Sequence, residues 1–436
     1  MKTLIKKLIA YDKLYPVVKN SAFYHLFKKT QAGIARSLYD NPAKSYFIIG
    51  VTGTNGKTTT VNLIHKILND HLAPTVAVST ADIRIGSTKL NNLKKMTSLD
   101  AFDLQALLST AKNNGCQVAV LEASSQGLDQ HRFEGIEFDV AVLINITHEH
   151  LDYHGTMDNY AESKKLLFKN VLSNTKQNKF GVFPSDDQYG RKRFEEMPFD
   201  KKINFSLQAS SILKATQIIE YLDHTEFTFS YLGQLHRCST KLLGAYNVSN
   251  ILAAMAVSIQ IGIAIEQIID SVQQFEGVEG RLEPIMHKGV HYFVDFAHTP
   301  DGLEKTLSFL HGQKKGGKLI TVFGAPGQRD KDKRPLMGTI ANQYSDILIA
   351  TDDDPASENR LEILQSLTSK IIQASFAQNK PLYIIPERTY AIQLATQLAQ
   401  PGDIVVLAGK GHEKVQLTNF GKRPRNDKTT LLSLLK

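Results

Sequence analysis

Residues 52–60 read Thr52-Gly53-Thr54-Asn55-Gly56-Lys57-Thr58-Thr59-Thr60, and this stretch decides the fold. An apolar strand candidate, Tyr46–Val51, runs into it, and a helical pattern from Val61 to Leu68 runs out of it. A strand, a glycine-rich turn, Lys-Thr and a helix form the setting that a phosphate loop requires. The glycines let backbone N–H groups converge on phosphate oxygens, and the helix N-terminus adds partial positive charge. Lys57 is then placed to bridge β- and γ-phosphates, with the Thr58 hydroxyl offered to Mg²⁺. The spacing departs from the usual eight-residue pattern, which has glycine where this chain carries Val51.

Outward from the loop, short apolar runs alternate with helical patterns. Strand candidates are Thr75–Ser79, Val118–Glu122, Val140–Asn145, Gly181–Phe183, Tyr292–Asp295, Leu319–Phe323, Ile347–Ala350, Leu382–Ile385 and Ile404–Leu407. Such alternation predicts α/β architecture, with parallel sheets covered by helices on both faces. The stretch Lys176–Ser239 is polar and irregular, and reads as an insertion with antiparallel strands such as Glu226–Tyr231. A break near Gly277–Arg281 divides the chain. The expected organisation is a basic segment (1–46), a central P-loop domain (47–280) and a C-terminal Rossmann-like α/β domain (281–436).

The chain has 436 residues, 42% apolar and 22% charged, which excludes a disordered protein and accommodates more than one core. No apolar run approaches the ~20 residues needed to span a bilayer. Cys116 and Cys238 are the only cysteines, too few for a disulfide framework or a four-thiolate zinc site, so a reducing cytoplasm is the expected compartment. Of the net charge of +8, residues 1–46 carry +7, from nine Lys/Arg against Asp12 and Asp40. Basicity confined to a tail argues against a nucleic-acid partner. Within residues 1–30, Leu4, Ile5, Leu8, Ile9, Leu14, Val17, Val18, Phe23, Leu26 and Phe27 recur at helical spacing with lysines between them. This basic amphipathic pattern has two readings: a helix docked on the main body, or one lying on an anionic membrane surface.

Two further strand ends carry chemistry. Glu122 closes the run Val118–Leu121, at the edge where parallel sheets bind ligands, and is positioned to hold Mg²⁺. The next strand leads to Thr147-His148-Glu149-His150-Leu151-Asp152-Tyr153-His154-Gly155, dense enough in histidine and acid to suggest metal binding. That pattern also approaches a metallo-hydrolase signature. The signature wants histidine where Tyr153 stands, and it leaves the phosphate loop without a purpose.

Taken together, these residues resemble the Mur ligase family, most closely its branch that forms muramoyl tripeptides. The resemblance runs from about Tyr46 to the C-terminus through Gly53–Thr60, Glu122–Ser125, Gln130-His131-Arg132, Glu149–Gly155, Gly244–Asn250, Gly280–Glu283, Asp295–Asp301, Arg329–Pro335 and Gly409–Glu413. It implies an ATP-dependent ligase of the cytoplasm, which joins a carboxylate to an amine through an acyl phosphate in peptidoglycan precursor synthesis. It implies ATP contacts at Gly53, Thr54, Asn55, Gly56, Lys57, Thr58, Thr59, Asn250 and Asp295, with His298 near the phosphates. Two Mg²⁺ ions would be held by Thr58, Glu122, His150 and Lys164, the last carbamylated to N6-carboxylysine. The catalytic group would be Lys57, His150, Lys164 and His298.

Muramoyl-peptide contacts are implied at Thr97, Ser98, Ser124, Gln130 and Arg132. Read alone, Thr97-Ser98 also suits a cap on a Leu99–Ala111 helix, Asn250 a helix cap, and Asp295 a strand end. Amino-acid contacts are implied at Arg329, Asp353, Asp354, Pro355, Ala356, Gly409 and Glu413. Here the chain departs from the branch that adds meso-diaminopimelate, which carries Asp-Asn-Pro-Arg where this chain reads Asp353-Asp354-Pro355-Ala356. Ala356 cannot form a bidentate carboxylate contact, while Asp352, Asp353 and Asp354 favour a cation, so L-lysine or a similar diamine is the expected donor. The other departure is the short basic segment where the family carries a UDP-gripping N-terminal domain. It leaves a lipid-linked muramoyl peptide as an alternative acceptor, with residues 1–30 at the inner membrane surface. Folylpolyglutamate- and cyanophycin-type ligases share the superfold and are further alternatives. The expected partners are otherwise small molecules, the expected state is a monomer, and the two large units are expected to close on their substrates.

Overall fold

The computed structural model describes residues 21–92, 94, 96–378 and 380–436. The reading of residues 1–20 as amphipathic helix lies outside them. The chain divides into two compact units. Unit 1 comprises 1–146, 153–214 and 250–271, and unit 2 comprises 147–152, 215–249 and 272–436.

Unit 1 begins with the helix Ala22–Leu38, capped by Ser21, whose hydroxyl accepts from Tyr24 N at 3.2 Å. Its strands are β1 (Phe47–Thr52), β2 (Thr75–Val78), β3 (Asp82–Ile85), β4 (Thr88–Asn91), β5 (Val118–Glu122), β6 (Val140–Leu143), β7 (Phe180–Pro184) and β8 (Lys202–Ser206). In space they run β8-β7-β6-β1-β5-β2-β3-β4, all in one direction except β3, which pairs antiparallel with β2 and β4. The central strands are apolar on both faces because helices cover both sides, as a parallel sheet demands. Strand order reverses at β1: β5 and β2 lie to one side of it, β6 and β7 to the other. Ligands bind outside the carboxyl ends of strands at such a point. Register makes this concrete, since Val51 faces Glu122 on β5 and Val142 on β6.

Two expectations are corrected here. Lys176–Ser239 is not wholly an insertion: β7 and β8 extend the parallel sheet, and only beyond them does the chain turn antiparallel. The expected Leu99–Ala111 helix starts at Ala101 and is capped by Asp100, whose carboxylate accepts from Asp103 N at 3.1 Å. Thr97 and Ser98 are therefore not its caps.

Leading into unit 2, β9 (Leu213–Glu220) starts with Leu213 opposite Phe205. In unit 2, β10 (Thr225–Tyr231) and β11 (Gln234–Thr240) form an antiparallel hairpin. Its main sheet has β12 (Glu283–His287), β13 (Val290–Asp295), β14 (Leu319–Phe323), β15 (Ile347–Ala350), β16 (Leu382–Ile384) and β17 (Ile404–Ala408) in the order β12-β13-β17-β14-β15-β16. All but edge strand β12 are parallel. Phe293, Leu319, Phe323, Leu348 and Val406 pack one face, and Val294, Ile320, Val322, Val405 and Leu407 the other. A small hairpin, β18 (Val415–Thr418) with β19 (Gly421–Pro424), follows. The adjacent ends of β13, β17, β14 and β15 bring Asp295, Gly409, Gly324 and Asp352 to one edge of the sheet.

Candidate functional site

The phosphate loop forms as its sequence predicts, but its helix starts four residues before Val61, at Lys57, and runs to His71. Gly56 precedes it in the left-handed region (φ 86°). Here glycine is required twice over. A side chain would be strained, and its Cβ would lie 2.1 Å from Asn250 Oδ1. Asn250 is buried within the helix Ala245–Ile261, so it is not a helix cap.

Asn145, which the sequence reading treated only as a strand residue, lies just past the end of β6 and clamps the loop. Its Oδ1 accepts from Thr54 N at 3.1 Å and from Asn55 N at 2.9 Å, and its Nδ2 donates to Asn55 O at 3.1 Å. Lys57 Nζ curls back to donate to Thr54 O (2.8 Å) and Gly53 O (3.1 Å). Lys164, fully buried, donates to Gly53 O at 2.8 Å and lies 4.3 Å from the centre of the Tyr160 ring. Tyr160 in turn donates to Thr54 Oγ1 at 3.2 Å. Lys164 is thus no solvated helix lysine. Thr59 is buried in the first turn of the helix.

Glu122 is buried beside the loop. Its carboxylate accepts from Thr58 Oγ1 (3.1 Å), Thr80 Oγ1 (3.0 Å) and Thr80 N (2.7 Å), and no basic side chain among the described residues pairs with it. A buried anion flanked by hydroxyl oxygens is the donor chemistry that a hard divalent cation such as Mg²⁺ prefers, so these residues fit that ion. The histidine-rich stretch does not act as one cluster. His148 is exposed, and His150 is half-buried with a left-handed backbone (φ 57°). His154 is held between Ser125 Oγ (3.0 Å) and Ser163 Oγ (3.2 Å). In unit 2, buried Glu149 lies 3.5 Å from Lys333. Burial pushes its carboxyl up, against the pull of Lys333.

The five residues expected to bind the acceptor come together next to Glu122. Ser98 Oγ donates to Glu122 O (2.9 Å), lies 2.9 Å from Ser124 Oγ, and accepts from Ser124 N. Arg132 reaches Ser98 O (2.6 Å) and Gln130 Oε1 (2.8 Å), while Gln130 Nε2 donates to Tyr153 OH (3.2 Å). Thr97 Oγ1 lies 3.1 Å from Thr80 Oγ1, to which its own hydroxyl can donate while Thr80 donates to Glu122. One hydrogen-bonded chain therefore runs from Thr58 through Glu122 and Thr80 to Thr97, while the Glu122 backbone leads on through Ser98 to Arg132. Thr80 and Tyr153 are links in it that the sequence reading did not pick out.

In unit 2, Asp295 ends β13 fully enclosed, its oxygens accepting from Leu282 N (2.6 Å), Ala297 N (2.9 Å) and Thr306 Oγ1 (3.1 Å). Burial pushes its carboxyl up, with Arg281 opposing. It fastens the Leu282 and Ala297 turns. His298 Nδ1 lies 2.8 Å from Phe296 O. Lys410, buried, contacts Asp354 (2.6 Å), Asp353 (3.6 Å) and Glu413. Burial pulls its ammonium down, but the three carboxylates outweigh that and hold it above the usual lysine range. Burial raises Glu413, opposed by Lys410. Pro355 is buried, and Ala356 adopts a left-handed backbone (φ 53°). Gly409 leads into Lys410, and Arg329 is exposed on the 324–330 loop. Asp352 leaves the expected cation-binding set, because Arg360 pairs with it at 2.5 Å.

Unit 1 carries a phosphate loop with a metal-fitting carboxylate and a hydrogen-bonded polar cluster beside it, and unit 2 a Rossmann-like sheet with an acidic, lysine-filled rim. These define a P-loop ligase with a Rossmann-like partner domain. Residues 51–258 match the Mur ligase middle domain, and residues 280–411 match the Mur ligase glutamate ligase domain. A UDP-N-acetylmuramoyl-L-alanyl-D-glutamate–2,6-diaminopimelate ligase of Synechococcus elongatus is 38% identical over 90% of this chain and 77% of its own length. One from Haemophilus influenzae is 34% identical over 98% and 85%. A solved structure bearing the same enzyme name superimposes with a TM-score of 0.62 at 32% identity, covering 94% of this chain and 81% of that one. The folylpolyglutamate synthase of Mycobacterium tuberculosis shares the fold, with a TM-score of 0.70 at 15% identity. The chain belongs to the Mur ligase family.

Proposed function

We propose that this protein is an ATP-dependent ligase of peptidoglycan precursor synthesis, which joins a muramoyl-peptide carboxylate to the α-amine of a diamino acid. The observation that carries this is how Thr58, Glu122, Ser98 and Arg132 are joined: the Glu122 carboxylate accepts from Thr58, its backbone carbonyl accepts from Ser98, and the Ser98 carbonyl accepts from Arg132. It links a phosphate-binding group to an anion-binding one, as transfer of a phosphoryl group onto a carboxylate requires. Within the family's two-part organisation we assign residues 47–280 to the ATP domain and 281–436 to the C-terminal domain. We place the action of the protein, as a monomer, in the cytoplasm.

In this reading the backbone N–H groups of Gly56, Lys57, Thr58 and Thr59 cradle the phosphates, with Gly53, Thr54 and Asn55 shaping the loop, and Lys57 exchanges its carbonyl partners for β- and γ-phosphate oxygens. Asn145 keeps the loop open, and Asn250 packs against Gly56. Asp295, which fastens the turn before His298, and His298 are assigned to the nucleotide. Arg132, with Thr97, Ser98, Ser124 and Gln130, orients the acceptor carboxylate for in-line attack on the γ-phosphorus. ADP departs and an acyl phosphate forms. The donor amine then attacks the acyl carbon and phosphate leaves. Thr58, Glu122, His150 and Lys164, the last as a carbamate, would hold two Mg²⁺ ions, which supply charge neutralisation of the triphosphate.

The donor is a diamine with a single carboxylate, L-lysine being the simplest. Asp353, Asp354 and Glu413 outnumber Lys410 and favour a second cation, Ala356 offers no guanidinium for a far carboxylate, and Arg329 and Gly409 complete the donor contacts. A coupled phosphate-release assay tests both statements, crossing muramoyl dipeptide acceptors with L-lysine, L-ornithine and meso-diaminopimelate. Release is expected only with ATP, acceptor and diamine present, and Lys57→Ala lowers it by about 10²–10³-fold. Full activity of Lys57→Ala refutes the ligase reading. Preference for meso-diaminopimelate refutes the donor.

A further inference from the structure

We propose that the helix Ala22–Leu38 docks unit 1 onto an anionic lipid surface. The helix has two unlike sides. One side holds it to the protein: Ala32 and Ala35 are buried against Ala101 and Phe102, and His25 Nδ1 lies 3.0 Å from His131 Nε2. On the other side stand Phe23, Leu26, Phe27, Ile34 and Leu38, each 54–77% exposed. At helical spacing these five fall within about 120° of the circumference, opposite Ala32. Ordinary surface helices turn their apolar stripe inward and their polar face to water. This one buries small residues and presents its large apolar ones outward. Five such side chains on one short stripe mark an interaction surface, not scattered exposure.

Charge selects the occupant. Lys28 and Lys29 lie about 120–140° around the helix from the centre of the stripe, toward its docked side, and residues 1–46 hold nine basic residues against two acidic ones. A second copy of the chain would set one strongly basic segment against another, whereas anionic headgroups complement it. Lysine stems lie along apolar surface while their ammonium groups reach the headgroups, and exposed phenylalanine and leucine suit the acyl boundary. No described helix is long and apolar enough to cross a bilayer, so the contact is with the surface. Its placement also matters. His131, the residue the helix grips, sits between Gln130 and Arg132 with a left-handed backbone (φ 54°). A lipid-docked helix therefore holds the acceptor-binding turn close to the membrane, which suits a lipid-linked acceptor. That last step rests on the function proposed above, but the lipid contact does not.

Flotation of the full chain with phosphatidylcholine vesicles, with and without phosphatidylglycerol, tests the contact. The protein is expected to float only with the anionic vesicles, and less so as salt is raised. Two double variants, Phe23→Ser with Phe27→Ser and Lys28→Glu with Lys29→Glu, and the single variant Ile34→Ser should each lower the bound fraction, the double variants by about tenfold or more. Their melting temperatures and vesicle-free phosphate release should stay those of the parent, which separates lost docking from lost folding. Three results overturn the proposal: no flotation of the parent, parental flotation of all variants, or a parent dimer that the Phe23 and Phe27 changes turn into monomer. Absent ligase turnover with intact flotation would refute the function and leave the docking surface standing.

Discussion

Asn145 offers the sharpest test of how the phosphate loop is held. Asn145→Ala removes the Oδ1 acceptor of Thr54 N and Asn55 N and the Nδ2 donor to Asn55 O. Thr54 N keeps one partner, because the backbone carbonyl of residue 145 accepts from it at 3.0 Å. Two bonds to Asn55 and half of a shared one are therefore lost. At about 1 kcal/mol net for each hydrogen bond, the loop loses about 2–3 kcal/mol of order. ATP must restore that order to bind, so its KM should rise about 30- to 100-fold, since 1.4 kcal/mol corresponds to a factor of ten. Asn145→Asp separates order from charge: it keeps the acceptor for both N–H groups but sets an anion beside the triphosphate. It should therefore melt close to the parent and still turn over poorly. Steady-state kinetics in ATP, with thermal melts of all three proteins, give the answer. An Asn145→Ala protein whose KM for ATP stays within twofold of the parent would refute the clamp.

Acid should destabilise unit 1 through His65. Burial, helped by Arg84, pushes this imidazole down from 6.5 to about 4, against the favourable pull of the Gly86 carbonyl and Asp82. A depressed folded-state pKa means that the unfolded chain takes up the proton first. Stability is then fully present above pH 6.5 and falls by about 3 kcal/mol by pH 4, a limb that His65→Gln should flatten in denaturant titrations. Arg388→Met breaks a fully buried pair with Asp427 (2.7 Å) and the bonds to Asp352 O and Ala408 O that tie the ends of β15 and β17. It should lower stability by about 3–5 kcal/mol in chemical denaturation. Lys410→Met leaves Asp353, Asp354 and Glu413 facing one another without their cation. It should raise the KM for the donor amino acid at least about tenfold while moving that for ATP far less, as kinetics in each substrate would show.

The parts of the fold that could be read from the chain are those whose signal is local. Gly56-Lys57-Thr58 after an apolar run needs no knowledge of what lies beside it, and β5, β14 and β15 have the ends expected of them. Thr80 and Asn145 were hidden because their work depends on the spatial order β6-β1-β5-β2, which brings residues far apart in sequence to one edge. β8 escaped because Lys202-Ile203-Asn204-Phe205-Ser206 alternates polar with apolar, the pattern of a half-exposed strand rather than a central one. The amphipathic reading of residues 1–30 meets the described helix Ala22–Leu38 only over residues 22–30, and it carried no orientation. Small residues carry little hydrophobic signal, and Ala32 and Ala35 make the contact.

Density of a residue type in sequence misled in two places, for the same physical reason. His148, His150 and His154 look like a ligand set until the left-handed turn at His150 and the short helix Leu151–His154 send them to different surroundings. Asp352, Asp353 and Asp354 look like a patch of three negative charges waiting for a cation. The fold divides them: Asp352 takes Arg360, while Asp353 and Asp354 share Lys410 with Glu413. The charge offered to a donor is thus set not by how many acids stand in a row but by which of them share one ammonium. Asp353, Asp354 and Glu413 gather around Lys410 beside Gly409, in a buried setting that strengthens electrostatics. A diamine side chain brings a second cation to that acidic lining. A second carboxylate, as meso-diaminopimelate would bring, adds to it, and Ala356 supplies nothing to oppose it. The donor preference proposed here follows from that acidic lining and from Ala356.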